Sequence, residues 1–469
     1  MILYILNQIL RGLILFILWY VVVMNTFSFL QMVFAMFITP VYIAKTRNLE
    51  YRIMGSSEYM IPISVLIPAY NEEVTIVETI RSMLNLHYRN FEIVIINDGS
   101  VDSTLKTVIN TFDLHKIIYP IRERLATKKL RGVYYNPDLP WLYLIDKENG
   151  GKSDALNAGI NFSRYPYIVS LDADSLLEED ALMRIGMAFI RNKYTVAVGG
   201  MIRVANGCEV KDGRIVNIAL PKKIWNLFQT IEYFRSFLAG RIGWNSFNTL
   251  LILSGAFSAF HKESVLAVGG YTTGAVGEDM DLVIKLHKSM HAKKYKYNVT
   301  FLPDPICWTQ TPETLGHLGS QRRRWQIGLI NVLVRFRDML FNRKYGALGM
   351  FAMPYFFMFE LVSPVIELLG YILIPVAWYF GFISLDALVL FFTASLFLGI
   401  LTSLGSLAVE DFTNSHYIKI KDVLRLSLLC VAENLFYRQI TVVFRLMGIL
   451  SFRKNKSVWG STKRQKFNG

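Results

Sequence analysis

Residues 63–73 read ISVLIPAYNEE, and this stretch decides the fold. Apart from Ser64 it is apolar up to Pro68, and a polar knot follows. A strand covered on both faces reads as such a continuous apolar run rather than as an alternating one. Pro68 is placed to end the hydrogen-bonded ladder. That leaves Tyr70, Asn71 and Glu72 at the strand's carboxyl end. The pattern recurs in FEIVIIN (91–97), WLYLID (141–146) and YIVSLDAD (167–174). Stretches of helical spacing lie between, such as VTIVETIRSML (74–84) and KSDALNAGI (152–160). Strands joined by helical crossovers predict an α/β fold with a mostly parallel sheet covered on both faces. Ligands bind such sheets at the carboxyl ends of the strands.

Around this core the chain is oily and basic. Apolar residues make up 53% of the 469 and charged residues 18%, with a formal net charge of +14. A nucleic-acid partner or a membrane protein with basic cytoplasmic flanks would each explain the charge. The long apolar runs favour the membrane, so no nucleic-acid partner is expected. Residues 1–46 hold one transmembrane span with room for a second, since about 20 apolar residues cross a bilayer. Arg11 would be costly within a first span. A signal peptide is disfavoured by the length of the run and by the lack of a small-residue cleavage site. Lys45, Arg47 and Arg52 mark the following side as cytoplasmic.

Residues 60–310 read as a soluble domain, 311–345 as interfacial helices, and 346–450 as transmembrane or interfacial helices. The last apolar run carries Glu433, Arg438 and Arg445. Residues 451–469 form a basic cytoplasmic tail. A tail that reaches the catalytic side requires an even number of passes before it. Either 347–382 holds two passes, broken near Ser363–Pro364, or one run lies in the interface. Cys208, Cys307 and Cys430 are too far apart in sequence to suggest a disulfide framework or a C-x-x-C zinc site.

Each polar strand end has two readings. PAYNEE (68–73) is a turn with helix-start acids, or a base pocket in which Tyr70 stacks and a carboxylate accepts a base N–H. NDGS (97–100) is good turn and N-cap chemistry, or a second wall of that pocket. ENGGKSDALN (148–157) sets two glycines before Lys152 at a helix start. Backbone N–H groups there can face a phosphate, although the Walker spacing is absent. LDADSL (171–176) is a turn, or a pair of carboxylates for a hard divalent cation bridging a diphosphate. In GAVGEDMDLVIKLHK (274–288), Glu278, Asp279 and Asp281 suit the first turn of a helix.

The order PAYNEE, NDGS, GGK, DAD, SGAF (254–257), GED (277–279) and QRRRW (321–325) resembles the family 2 glycosyltransferases. More narrowly it is similar to the membrane-embedded processive synthases of cellulose, mixed-linkage β-glucan, chitin, hyaluronan and poly-N-acetylglucosamine. The likeness covers roughly residues 60–330. It implies a glycosyltransferase-A type domain flanked by membrane helices, in an integral protein of the bacterial cell membrane. By the same resemblance Tyr70, Glu72 and Asp98 would hold uridine and Lys152 the diphosphate. Asp172 would contact the nucleotide, and Asp174 would ligate Mg²⁺ or Mn²⁺. Ser254, Gly255 and Ala256 would shape the acceptor site, with Glu278 near the acceptor. Asp279 would be the general base. Gln321, Arg324 and Trp325 would line the acceptor and diphosphate site. SVWGSTKR (457–464) resembles a gating segment, in which Trp459, Lys463 and Arg464 would cover bound UDP-sugar. The bland readings are an interfacial tryptophan at 325, a positive-inside flank at 322–324 and a membrane-surface tail.

The residue types suit inverting displacement. One base takes the acceptor proton, and positive charge stabilises the leaving diphosphate. No second catalytic carboxylate is needed, unlike in most glycosidases. The expected activity is processive polymerisation of a β-glycan from a UDP-sugar, with the growing polysaccharide as acceptor and passage across the lipid bilayer. UDP-glucose, giving a cellulose-like or mixed 1,3;1,4-β-glucan, is the first expectation and UDP-N-acetylglucosamine the next. The alternatives are single-sugar addition to a membrane lipid acceptor and a non-catalytic sensor. QRRRW argues against the first, and the intact acids argue against the second.

Overall fold

The structure, a computed structural model, describes residues 2–46, 54, 57–413, 419–452 and 467. The chain divides into two compact units. One comprises Tyr42–Asn226, Asn245–Glu313 and Asn455–Gly469, and the other Met1–Val41, Leu227–Trp244 and Thr314–Lys454.

The first unit is built on a ten-stranded sheet and a separate hairpin. In chain order the strands are β1 (Ile63–Ala69), β2 (Phe91–Asn97), β3 (His115–Ile117), β4 (Leu130–Tyr135), β5 (Leu142–Lys147) and β6 (Tyr167–Leu171). There follow β7 (Ser175–Leu177), β8 (Thr195–Val204), the hairpin β9 (Glu209–Lys211) and β10 (Arg214–Asn217), then β11 (Phe257–His261) and β12 (Asn298–Thr309). The sheet order is β3-β4-β5-β2-β1-β6-β11-β8-β12-β7. Only β4, β7 and β11 run against the rest, so the sheet is mostly parallel. β1 is buried at all seven positions, as its apolar run requires. Pro68 does not end it. Pairing with β6 has already stopped at Leu66, while pairing with β2 runs on to Ala69.

Strand order reverses at β1, with β2 on one side and β6 on the other. This is a topological switch point, where the loops after neighbouring strands part and leave a crevice. The loops after β1, β2, β5 and β6 are PAYNEE, NDGS, ENGGK and DAD. Antiparallel β11 lies beside β6, with Phe257 opposite Leu171, so SGAF arrives next to DAD. At the far edge, Phe467 packs on the cluster of Leu176, Ala205, Cys208, Val210 and Trp308.

The second unit is helical. Four helices are long and apolar enough to cross a membrane: Gln8–Thr46, Leu348–Tyr379, Leu388–Asp411 and Ile420–Ser451, among the described residues. The first belongs to one unbroken helix, Ile2–Thr46, so the N-terminal run does not divide into two spans. Nor does 347–382 hold two passes. A π-helical turn, Phe356–Val362, leads straight into the helix Ser363–Tyr379, and the Glu360 carbonyl, to which Pro364 offers no N–H, accepts from Arg445. Among the described residues three such helices therefore follow residue 346, and an even number of passes requires one of them to lie in the interface.

Residues 227–244, read from sequence as part of the soluble domain, belong to this helical unit. Their partners explain it. Phe228 stacks on Tyr437 at 5.0 Å, and Arg235 pairs with Glu433 at 2.9 Å. These contacts span some 200 residues of sequence and leave no local signal.

Candidate active site

Five residues from four segments meet around one ammonium. Lys152 opens the helix Lys152–Phe162, just after Gly151 at φ 86°. Its Nζ lies 2.5 Å from Asp172 Oδ1 and 3.4 Å from Glu278 Oε1, and it donates to the Gly255 carbonyl at 3.1 Å. Burial alone would lower the pKa of this ammonium. The carboxylates of Asp172 and Glu278, with Asp279 nearby, outweigh burial and hold the pKa above the ordinary lysine value.

Asp279 faces the same point. Its Oδ2 accepts from the Gly255 N–H at 3.2 Å, and its Oδ1 from the N–H of Met280 at 2.8 Å. Gly255 leaves these groups close to the backbone. A Cβ there would lie 3.1 Å from Lys152 Nζ and 3.5 Å from Asp279 Oδ2. Ser254 turns the chain just before it, its Oγ accepting from the Ala256 N–H at 3.3 Å.

The helix Glu278–Ala292 holds the acids in place. Asp281 is buried and accepts from Thr272 Oγ1 at 2.7 Å, with Lys285 Nζ 3.5 Å away, so it braces the loop in front of the helix. His287, fully buried on the same helix, donates Nε2–H to the Leu250 carbonyl at 2.8 Å, and its Nδ1 accepts from Tyr297 OH at 2.7 Å. Leu250 lies four residues before Ser254, so His287 ties the acid-bearing helix to the approach to SGAF. Burial pushes its pKa down to about 4.

The DAD turn is pinned from three sides. The Asp172 N–H donates to the Ala256 carbonyl at 3.1 Å, and the Ser175 N–H to the Asp172 carbonyl at 3.1 Å. Thr79 Oγ1 donates to the Ala173 carbonyl at 2.8 Å. Asp174 is buried, whereas the Asp172 side chain is 30% exposed. Among the described residues no group of three or more His, Cys, Asp or Glu could hold a metal ion. Asp172 and Asp174 supply hard oxygens only. That donor set fits a Mg²⁺ or Mn²⁺ that takes its remaining ligands from a diphosphate and water, not one held by protein alone.

The PAYNEE and NDGS loops are knitted together. Asn71, at φ 57°, accepts on Oδ1 from the Val101 N–H at 2.9 Å, and its own N–H donates to Ser100 Oγ at 3.1 Å. Glu72 is buried, accepting on its carboxylate from Thr75 Oγ1 at 3.0 Å, while its N–H donates to Thr104 Oγ1 at 2.8 Å. Tyr70 is half-buried beside them.

Asp98 and the two glycines pair with one another. Asp98 has no exposed surface. Its carboxylate accepts from Lys147 Nζ at 2.6 Å, from Gly150 N at 3.0 Å and from Gly151 N at 2.7 Å. The glycine amides thus face a carboxylate rather than a ligand phosphate. Sequence reasoning missed Lys147 and Asp154 altogether. A lysine closing an apolar strand was the available signal, because a buried lysine needs counter-charges.

Gln321, Arg324 and Trp325 lie on the helix Leu315–Arg335 of the helical unit. Arg322 is buried there, 2.6 Å from Glu232 Oε2, and its guanidinium sits 4.2 Å from the centre of the Trp325 ring. Gln321 and Arg324 are half-buried, and Trp325 is exposed. Trp459, Lys463 and Arg464 lie outside the described residues.

Comparison with known proteins agrees with this fold. The model of glycosyl transferase family 2 matches residues 64–265, and that of glycosyl transferase family group 2 matches residues 167–399. A poly-beta-1,6-N-acetyl-D-glucosamine synthase of Staphylococcus epidermidis is 30% identical over 320 residues, 68% of this chain and 66% of that protein. The protein of the same name from Staphylococcus aureus strain COL is 31% identical over 299 residues, 63% of this chain and 62% of the relative. The chain thus spans a little under two thirds of the length of these relatives. In fold it is similar to a mannosyltransferase from Pyrobaculum calidifontis solved with GDP-Man and Mn²⁺. The TM-score is 0.52 and the identity 17%, covering 90% of this chain and 99% of that one. With its GT-A type sheet and its acids gathered at the strand ends, the chain belongs to glycosyl transferase family 2.

Proposed function

We propose that the protein is a processive, inverting β-glycosyltransferase. It polymerises N-acetylglucosamine from UDP-N-acetylglucosamine at the cytoplasmic face of a membrane and passes the polymer across. One observation carries the chemistry: Asp172 and Glu278 close on the Lys152 ammonium, and Lys152 and Asp279 meet at Gly255. Lys152 meets the negative charge of the leaving diphosphate. Asp279, oriented by the Gly255 amide, takes the proton from the acceptor hydroxyl as it attacks the anomeric carbon from the face opposite the diphosphate. One displacement inverts that carbon, so an α-linked donor gives a β-linkage. Asp172 and Asp174 would hold a Mg²⁺ or Mn²⁺, which when bound screens the charge of the diphosphate. Tyr70 and Glu72 line the nucleoside side, and Ser254 serves the acceptor.

The sugar departs from the expectation of UDP-glucose and a β-glucan. Support for N-acetylglucosamine comes from the relatives, which are named as poly-N-acetylglucosamine synthases. The test uses full-length protein in nanodiscs with Mg²⁺ or Mn²⁺ and labelled UDP-sugars. A long β-linked polymer from UDP-N-acetylglucosamine is expected. Polymer from UDP-glucose instead would overturn the sugar assignment. A single sugar transferred to lipid, with no polymer, would overturn processivity.

A further inference from the structure

The tail has a seat on the first unit. Phe467 packs on a cluster of Leu176, Ala205, Cys208, Val210 and Trp308. The seat is built from β7 at the sheet's edge, β12 next to it, and the β9–β10 hairpin with the turn before it. It is firm underneath. Trp308 has no exposed surface, its Nε1–H donates to Glu178 Oε1 at 2.5 Å, and the Arg203 guanidinium lies 5.4 Å from its ring centre. Residues 453–466 join the last helix to Phe467. A tail seated here requires that helix to end on the sheet's own side of the membrane.

The register of the helical unit meets this requirement. Helix Ile2–Thr46 runs toward the sheet, since its last turns, from Tyr42, belong to the first unit. Leu348–Tyr379 runs antiparallel to it, with Ser363 Oγ 3.4 Å from Met24 Sδ and Gly370 against Ile17. Leu388–Asp411 runs parallel to it: Asn25 Nδ2 donates to Ser395 Oγ at 2.9 Å, and Gly405 faces Met32. These two helices lead out and back, so Ile420–Ser451 starts on the near side. Along it, Glu433 accepts from Ser403 Oγ at 2.7 Å. Arg438 lies deeper, 3.2 Å from Asn25 Oδ1 and 3.5 Å from Glu367. Arg445 then pairs with Glu360 at 3.2 Å. From Glu367 to Glu360 is about 10 Å of helix back toward the near side. The last helix thus turns round at its π-helical stretch, Glu433–Tyr437, where a kink has a physical cause.

We propose that the cluster around Trp308 is the docking site for this chain's own tail, with Phe467 as the anchor. The helix Ile420–Ser451 delivers that tail by dipping into the membrane and returning. Two of the apolar helices after residue 346 then cross, and the last does not. The two observations are independent, one lying in each unit, and neither depends on which sugar is transferred.

The experiment labels cysteines in the full chain with a membrane-impermeant maleimide. Cys208, Cys307 and Cys430 are buried, so the wild type gives the background. In sealed vesicles of one orientation, Tyr59→Cys marks the exposed surface of the first unit and Ser384→Cys the turn between the two crossing helices. Gly469→Cys is expected to label together with Tyr59→Cys and not with Ser384→Cys. Labelling together with Ser384→Cys would overturn the returning helix. The anchor is read in nanodiscs from Cys208, which is 1% exposed. Phe467→Ala is expected to speed its labelling by about tenfold or more, the factor that goes with losing a partly buried ring. Phe467→Leu should keep most of the protection, and Cys430 in the helical unit should stay silent. Unchanged labelling of Cys208, or an equal rise at Cys430, would overturn the anchor.

Discussion

Asp279→Asn separates proton removal from everything else the site does. The substitution keeps the side chain's size, and an amide oxygen can still accept from the Gly255 N–H, now held at 3.2 Å, while the Met280 N–H loses its acceptor. Lys152 keeps Asp172 at 2.5 Å and Glu278 at 3.4 Å, so the donor's charge partner stays in place. What disappears is the base. A positioned base contributes about 10²–10⁴-fold, or about 3–5 kcal/mol of barrier at 1.36 kcal/mol per decade. Donor binding moves the other way. Asp172, Glu278 and Asp279 are three acids around one lysine, so removing one negative charge eases the approach of a diphosphate. The Kd of UDP is expected to hold or tighten by less than about tenfold, since one partly screened charge is worth about 1 kcal/mol. Initial rates of polymer formation from labelled UDP-N-acetylglucosamine, with UDP titration calorimetry on the same sample, test both halves. A variant that keeps more than a tenth of the wild-type kcat, or whose loss lies wholly in donor Kd, would refute the base assignment.

Other perturbations have equally definite outcomes. Gly255→Val pushes carbon toward Lys152 Nζ, only 3.1 Å from a Cβ there, so activity should fall at least tenfold with Tm nearly unchanged. His287 titrates at about 4 when folded, against an ordinary 6.5. Its folded pKa is lowered, so its contribution is complete above pH 6.5 and is lost as pH falls toward 4. About 2 kcal/mol should be gone by pH 5, a slope that His287→Gln flattens in denaturation measured against pH. Glu232→Gln leaves the buried Arg322 without the carboxylate 2.6 Å away. The cost is about 3–5 kcal/mol, read as a lower Tm in detergent. EDTA should abolish transfer, and Mn²⁺ or Mg²⁺ should restore it, because the acids around Lys152 outnumber it and leave a diphosphate poorly compensated.

The parallel sheet and the site's acids were legible for a local reason. A strand buried on both faces needs a continuous apolar run, and the polar residues that break it fall at the strand ends, where the loops open. ISVLIPAYNEE, FEIVIINDGS and YIVSLDAD each record both facts in ten or so residues. Asp281 was likewise legible as a helix-start acid, because first-turn chemistry is local. Sequence could not show which acid is spoken for. Asp98 reads as a loop carboxylate facing a ligand, and its bonds to Lys147 and two glycine amides leave no local mark, since Lys147 lies 49 residues away.

What the sequence by itself determined is the alternation of strand and helix, the oily flanks and the order of the polar loops. Each is written in neighbouring residues. The tertiary structure decided which loops face one another. Crossing from β1 to β6 brings PAYNEE beside DAD, and antiparallel β11 carries Gly255 to Asp172 and Lys152. It also decided that Leu227–Trp244 sides with the helical unit, through partners near residue 437. Pairing between distant segments depends on sheet order and packing, and neither leaves a periodic mark on the chain.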